Sequence, residues 1–166
     1  IKQSKKSKFK TLVSIFVNPK QFNKKSDYRS YPRSTKKDLK KLKNLKVDYL
    51  YIPTFKDIYG FKPREKVFLD KFSKKLCGRF RRGHFEGVLN VVNRFLEIIK
   101  PKYIFLGKKD YQQLYLIKKH IEKRKIKSEI IECETIRENN GVALSTRNSN
   151  LNKSQMKIAS NIYYYL

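Results

Sequence analysis

Y-I-F-L-G-K-K-D-Y-Q-Q, residues 103–113, is the stretch on which the reading of the fold turns. Its first four residues are apolar and β-favouring. Gly107 permits a tight turn, Lys108 and Lys109 supply charge, and Asp110 can cap a helix that Tyr111, Leu114, Ile117 and Ile121 continue at helical spacing. A buried strand that ends in a polar loop and opens a helix predicts the ligand-binding edge of an open α/β sheet. There, strand carboxyl ends meet helix N-termini.

Working outward, the same alternation recurs. On the N-terminal side, Val88, Val91, Val92, Phe95, Leu96 and Ile99 repeat on one face of a helix that starts at His84 and stops before Pro101. Residues 11–17 (T-L-V-S-I-F-V) are apolar too continuously for a half-exposed strand, which predicts a central parallel one stopped by Asn18 and Pro19. A polar loop with aromatic pins spans residues 20–34. Leu39, Leu42 and Leu45 then stripe a short helix over 35–45, and a second strand covers 47–52. Between them and His84 the pattern weakens: one helical turn at Phe55, Ile58 and Tyr59, an edge strand at 66–69, a short helix at 72–76, and a glycine-bounded basic loop at 77–83. On the C-terminal side come a strand at 129–133, a loop at 135–147 turning at Asn140 and Gly141, and an amphipathic helix at 153–166. Strand alternating with helix predicts a Rossmann-like α/β domain, a parallel sheet flanked by helices.

The chain has 166 residues, enough for one domain with a real core, and 39% hydrophobic content argues against disorder. No run of apolar residues is long enough to cross a membrane and no secretory signal is visible, which makes a cytoplasmic protein the expectation. Cys77 and Cys133 are too few and too far apart for a disulfide framework or zinc site, so they read as structural thiols. The net charge of +27 invites a nucleic-acid reading. The lysines are spread along the whole length, however, as lysine-rich compositional drift on solvated faces would place them, and nucleic acid is the less favoured partner.

Several positions have a chemical rationale beside a plainer one. Gly107, Lys108, Lys109 and Asp110 join backbone N–H groups at a helix start to an ammonium, which is a phosphate site or simply a capped helix with solvated lysines. Gln112 and Gln113 each offer a donor and an acceptor to a substrate with hydroxyl and carboxylate groups, or sit on the surface. Leu144, Ser145, Thr146 and Arg147 place two hydroxyls and a guanidinium in one loop; arginine holds phosphate bidentately where lysine does not. His84 opens a helix and can contact an anion or pack. Asn18 and Gln21 lie at a strand's carboxyl end. No Ser/His/Asp triad, metal cluster or P-loop is legible.

Taken in order, S-I-F-V-N-P-K-Q-F (14–22), Y-P-R (31–33), L-C-G (76–78), R-R-G-H-F-E-G-V (81–88), L-G-K-K-D-Y-Q-Q-L (106–114) and R-E-N-N-G-V-A-L-S-T-R-N (137–148) resemble the pantoate:β-alanine ligase family across essentially the whole chain. The resemblance implies a nucleotidyltransferase-type fold and a two-step reaction with ATP and Mg²⁺. Pantoate is adenylated with release of pyrophosphate, and β-alanine then displaces AMP. It implies that Gln21 and Gln113 hold pantoate, with Asn18 and Tyr31 lining the same pocket and Arg81 and His84 close to the substrates. Gly107, Lys108, Lys109 and Asp110 would contact ATP, with Lys109 on phosphate and Asp110 on ribose, and Ile136 would touch the adenine side. Leu144, Ser145, Thr146 and Arg147 would close over the triphosphate. Lys109 and Arg147 are thus the implied phosphate-stabilising catalytic residues, Asp38 is the candidate magnesium ligand, and a homodimer is implied. A basic nucleic-acid-binding module and another nucleotidyltransferase of the same fold are the alternatives.

The chain departs from the family pattern at three places: Lys108 stands where G-E-K-D has glutamate, Arg82 where R-P-G-H has proline, and Lys37 where an acidic pair follows Y-P-R-T. The family's H-x-G-H motif has no counterpart in residues 1–10, and the sequence starts at Ile1. The expectation is therefore a central piece of such a ligase without useful turnover alone. Residues 1–148 would form the nucleotide- and pantoate-binding domain, and 149–166 the start of a C-terminal one.

Overall fold

A computed structural model describes residues 1–63 and 66–165. After a 3₁₀ turn at Ser4–Lys6, strand β1 covers Leu12–Ser14. The chain leaves it through a second 3₁₀ turn, Pro19–Gln21, and helices α1 (Lys25–Ser30) and α2 (Thr35–Asn44), then returns as β2 (Tyr49–Tyr51). The two strands are parallel with Leu12 opposite Tyr49 and Ser14 opposite Tyr51. Residues 11–17 thus contribute a shorter strand than expected. Pairing runs out because Pro53 ends β2, and residues 16–18 diverge toward a cleft. The polar stretch 20–34 is likewise not all loop, since α1 lies within it.

Helix α3 (Phe55–Tyr59) forms where Thr54 caps Asp57 and Asp57 caps Thr54 in return, a capping box, and it ends at Gly60. Residues 66–69 make no strand: the Phe68 N–H donates to His120 Nδ1 at 3.0 Å instead of to a neighbouring strand. The helix expected at 72–76 is a 3₁₀ turn, Lys71–Lys74, nucleated by the Asp70 side chain, which accepts the Phe72 N–H. The supposed basic loop contains a short helix, α4 (Cys77–Phe80). Helix α5 (His84–Ile99) leads to β3 (Tyr103–Gly107), α6 (Tyr111–Lys123), β4 (Glu129–Cys133) and α7 (Lys153–Tyr164); Leu166, the expected end of the last helix, lies outside the described residues. Strands β3 and β4 are parallel in register from Tyr103 opposite Glu129 to Gly107 opposite Cys133.

The α/β class with parallel strands flanked by helices is as expected, but among the described residues the strands form two separate pairs. A groove of about 850 Å³ lies between β1 and β3, floored by Val92, Phe95 and Leu96 of α5. The core joins α5 to α6: Val88, Leu89, Leu96, Ile117 and Ile121 are buried, with Ile104, Leu106 and Ile130 of the second strand pair packed on them. Each such side chain contributes roughly 1.5–3 kcal/mol by leaving water. That packing sets the N-terminal ends of both helices beside the carboxyl ends of the strands. Gly87 is essential to the approach, since a Cβ there would sit 2.9 Å from the Lys20 carbonyl oxygen. α7 docks on the turn at Gly141, with the Arg137 guanidinium 4.0 Å from the Tyr163 ring centroid.

Candidate active site

A polar cleft of about 190 Å³ opens where β1 and β3 end, and it draws on five parts of the chain. Phe16, Val17, Asn18, Gln21 and Phe22 come from the exit of β1, and Tyr31 from the end of α1. Arg81 and His84 come from the start of α5, Asp110 and Gln113 from the start of α6, and Arg147 from the distal loop. All six residues expected near the substrates, Gln21, Gln113, Asn18, Tyr31, His84 and Arg81, therefore line one cleft.

Their roles in the fold differ. Asn18 is buried, and both ends of its amide are engaged: Nδ2 donates to the Gly87 carbonyl at 3.0 Å, while Oδ1 accepts the Lys20 N–H at 3.1 Å and the Tyr59 hydroxyl at 3.0 Å. Asn18 thus shapes the turn that carries Gln21. Burial raises the Tyr59 phenol above its ordinary value, so the hydroxyl stays protonated and remains a donor. The sequence pattern at Tyr59, a helical turn, contained no sign of this bond, which spans 41 positions.

The Gln21 carbonyl receives two donors, Arg81 Nη2 at 3.2 Å and His84 Nδ1 at 2.9 Å. A carbonyl oxygen can only accept, so the proton of a neutral His84 sits on Nδ1 and leaves Nε2 as the acceptor. Burial is the main reason the imidazole falls below its ordinary pKa, and the Arg81 and Arg147 charges push the same way against Asp110. Arg81 is likewise lowered, chiefly by burial and then by Arg147. Positive charge therefore converges on the cleft.

Arg147 reaches across it. Its guanidinium lies 4.9 Å from the Tyr31 ring centroid and 3.7 Å from Asp27 Oδ1. Tyr31 is held edge-on by Phe22 at 5.4 Å, so the arginine rests on a packed aromatic block. Asp27, exposed on α1, was not singled out as a site residue, and its sequence context carries no pointer to a partner 120 positions away. Ser145 is turned inward to its own loop, where its Oγ accepts the Arg147 N–H at 3.2 Å and starts the 3₁₀ turn Thr146–Asn150. Leu144 and Ile136 are exposed and joined by the Leu144 N–H to Ile136 carbonyl bond across a hairpin that turns at Gly141.

The Gly107–Asp110 loop lies at the carboxyl end of β3, next to the cleft. Gly107 is extended, with φ −80° and ψ 135°, so glycine's conformational freedom is not what the position uses, contrary to expectation. A Cβ there would meet nothing within 4 Å. Asp110 stands at the N-cap of α6 but makes no side-chain cap bond, so its carboxylate is left to the cleft and to Lys109, 4.0 Å away. Lys108 is paired with Glu134 at 2.5 Å, and that partner raises its pKa. Gln112 is buried as a staple: Nε2 donates to the Phe72 and Lys75 carbonyls at 2.9 and 2.7 Å, and Oε1 accepts the Cys77 N–H at 3.1 Å. Its neighbour Gln113 faces the cleft.

Asp38 sits in the first turn of α2, where the Ser34 hydroxyl donates to its Oδ2 at 3.3 Å. Among the described residues no three His, Cys, Asp or Glu side chains gather around a common point. Both cysteines are free thiols. No helix among the described residues is long and apolar enough to cross a membrane.

Parallel strands flanked by helices, with a cation-lined cleft at the strand carboxyl ends, define a nucleotidyltransferase-type α/β domain. The family model described as pantoate-beta-alanine ligase matches residues 1–166, and the chain belongs to that family. It is 41% identical over 163 residues to a pantothenate synthetase of Thermodesulfovibrio yellowstonii, covering 98% of this chain and 58% of the relative. It is 44% identical over 168 residues to one of Francisella philomiragia, covering 100% and 64%. A crystal structure of pantoate-beta-alanine ligase from Francisella tularensis, complexed with beta-gamma ATP and beta-alanine, superposes with a TM-score of 0.90 at 41% identity, over 98% of this chain and 63% of that one. Pantothenate synthetase from Thermus thermophilus superposes with a TM-score of 0.91 at 34% identity, over 99% and 60%. The chain thus spans less than two thirds of the length of these relatives. The nucleic-acid alternative raised by charge alone is not favoured.

Proposed function

We propose that this chain supplies the nucleotide- and pantoate-binding part of an enzyme that joins pantoate to β-alanine at the expense of ATP. The observation that carries the reading is the convergence of Gln21 and Gln113 with His84, Arg81 and Arg147 on one cleft at the strand ends. The two glutamines hold pantoate by its hydroxyl and carboxylate groups, within the wall made by Tyr31 and by Asn18, which fixes the Gln21 turn. Lys109 and Arg147 take phosphate oxygens, Asp110 the ribose and Ile136 the adenine side, with residues 144–147 covering the triphosphate.

In the first step a pantoate carboxylate oxygen attacks the α-phosphorus and pyrophosphate leaves. In the second, the β-alanine amine attacks the acyl carbon and AMP leaves. Charge accumulates on phosphate oxygens in the first step, so cations fixed beforehand lower its barrier without reorganising. Loss of one such donor typically costs about 10²–10³ in rate. The acyl adenylate must be kept from water, which is a reason for Arg147 to close the cleft mouth.

Magnesium, when bound, would neutralise triphosphate charge. A single carboxylate at Asp38 suits an ion that arrives on the nucleotide and keeps its waters better than one caged by protein. We assign residues 1–148 to the substrate-binding unit and 149–166 to the beginning of a second one, in a cytoplasmic homodimer. The test is pyrophosphate exchange in the presence of pantoate or other carboxylic acids. Pantoate-dependent exchange is expected; equal exchange with unrelated acids would overturn the substrate assignment.

A further inference from the structure

We propose that His84 Nε2 is the base that takes the proton from the amine nucleophile in the amide-forming step. The inference rests on the ligase reading and adds a chemical role to a residue so far placed only near the substrates.

The geometry carries it. Nδ1 is committed as a donor to the Gln21 carbonyl at 2.9 Å, which fixes the tautomer and leaves Nε2 as an acceptor. His84 lines the cleft, Nε2 has no hydrogen-bond partner among the described residues, and it is not among the buried unsatisfied atoms, so it is open to the cleft space. The same carbonyl belongs to Gln21, whose side chain lines the cleft. A base tied to the backbone of a substrate-holding residue keeps its distance to the acyl carbon constant as the substrate is gripped.

The chemistry demands such a group. An ammonium has no lone pair, so before the C–N bond can form a proton must leave the nitrogen. As the amine nitrogen bonds to the acyl carbon, the bond from that carbon to the AMP phosphate oxygen breaks, and AMP departs with the electron pair. The proton lost from the ammonium passes to Nε2, and the second proton, released from the nitrogen as the amide forms, leaves on the AMP phosphate. Charged groups around the imidazole favour this direction. Burial chiefly keeps the imidazole neutral, against the opposing Gln21 hydrogen bond, and Arg81, from the loop before α5, and Arg147, from the distal loop, add to it; the same two cations disfavour an ammonium in the cleft. Asp110, from the start of α6, offsets part of the charge once Nε2 is protonated. Among the groups lining the cleft, Arg81 and Arg147 cannot accept a proton, and Asp110 belongs to the ribose side of the proposed site.

The test uses the protein expressed from its whole reading frame, with each half-reaction read separately. His84→Asn places an amide nitrogen where Nδ1 stands, so the bond to Gln21 is retained while the base is removed. Pantoate-dependent pyrophosphate exchange is expected to fall less than about tenfold, and amide formation from pre-formed acyl adenylate by about 10²–10³. The pH profile is the second readout. The unsubstituted enzyme should plateau above the lowered histidine pKa, whereas His84→Asn should rise in proportion to free amine. Hydroxylamine, largely unprotonated at neutral pH, should recover most of the lost rate. A parallel loss of both half-reactions, without rescue, would reduce His84 to a positioning residue for Gln21. An undiminished amide step would overturn the proposal outright. Absence of pantoate-dependent exchange in the unsubstituted protein would instead sink the ligase reading, and the two failures are thereby told apart.

Discussion

The Tyr59 hydroxyl donates to Asn18 Oδ1 at 3.0 Å, and through that amide α3 fixes the turn Pro19–Gln21 against the start of α5. Because Asn18 uses both acceptor positions of its amide on Tyr59 and Lys20 and donates to Gly87, it acts on the cleft by position. Tyr59→Phe removes one bond and keeps the ring beneath the Lys20 ammonium, 4.0 Å away. A stability loss of about 0.5–1.5 kcal/mol by denaturant titration is expected. Asn18→Ala should cost more, about 1–3 kcal/mol, since it leaves buried groups unpaired. Equal stabilities for the two variants would contradict the hub role.

Gln112 and Gln113 are adjacent on α6 and point to different environments. Gln112→Ala strips two carbonyls and one N–H of their partner at the α4 corner, and should lower stability by about 1–3 kcal/mol. Gln113→Ala should leave the melting temperature nearly unchanged and weaken pantoate binding, measured by calorimetry. The reverse pattern would refute the assignment of the two faces.

A similar contrast separates Lys108 from Lys109. With Lys108 paired to Glu134, and Lys109 held, among the described residues, only by Asp110 at 4.0 Å, the second ammonium is the one offered to phosphate. Lys109→Ala is expected to reduce adenylate formation about 10²–10³-fold, as loss of a fixed donor does. Lys108→Ala should change it less than about tenfold. Comparable losses in exchange assays of the two variants would undo the distinction.

Asp48 provides the pH prediction. Its carboxylate accepts from Lys5 Nζ and from the Thr11 N–H, both at 2.7 Å, and those bonds lower its pKa below 3.8. A depressed carboxylate stabilises the fold fully above its unfolded value, and that contribution is lost as pH falls through the folded one. Asp48→Asn should therefore flatten the acid limb of the stability curve, between about pH 4 and the lowered value, relative to the unsubstituted chain. An unchanged limb in acid titration monitored by circular dichroism would show that the Asp48 link to the N-terminal 3₁₀ turn is immaterial.

Much of the fold was legible because its signals are local. Helical spacing of Val88, Leu96, Leu114 and Ile121 depends only on the chain's own geometry, and so does the alternation of strand and helix that defines the class. Family membership was legible too, because its motifs are short and survive in order. Boundaries were not. β1 is cut short by where β2 ends, and residues 66–69 are drawn to His120 rather than to a strand, both outcomes set by distant neighbours.

What sequence alone determined, then, is which residue types stand at the strand ends: Asn18 and Gln21 after β1, and Lys108 to Gln113 after β3. The tertiary structure decided what each does. Consecutive residues on a helix point about 100° apart, so packing of α6 against the α4 corner, and nothing in the pattern Q-Q, turns Gln112 inward and Gln113 to the cleft. Asp27 with Arg147 and Tyr59 with Asn18 meet only because the chain folds across 120 and 41 positions. Side-chain pairing at that range is fixed by the packed core between α5 and α6, a collective property that no local stretch encodes.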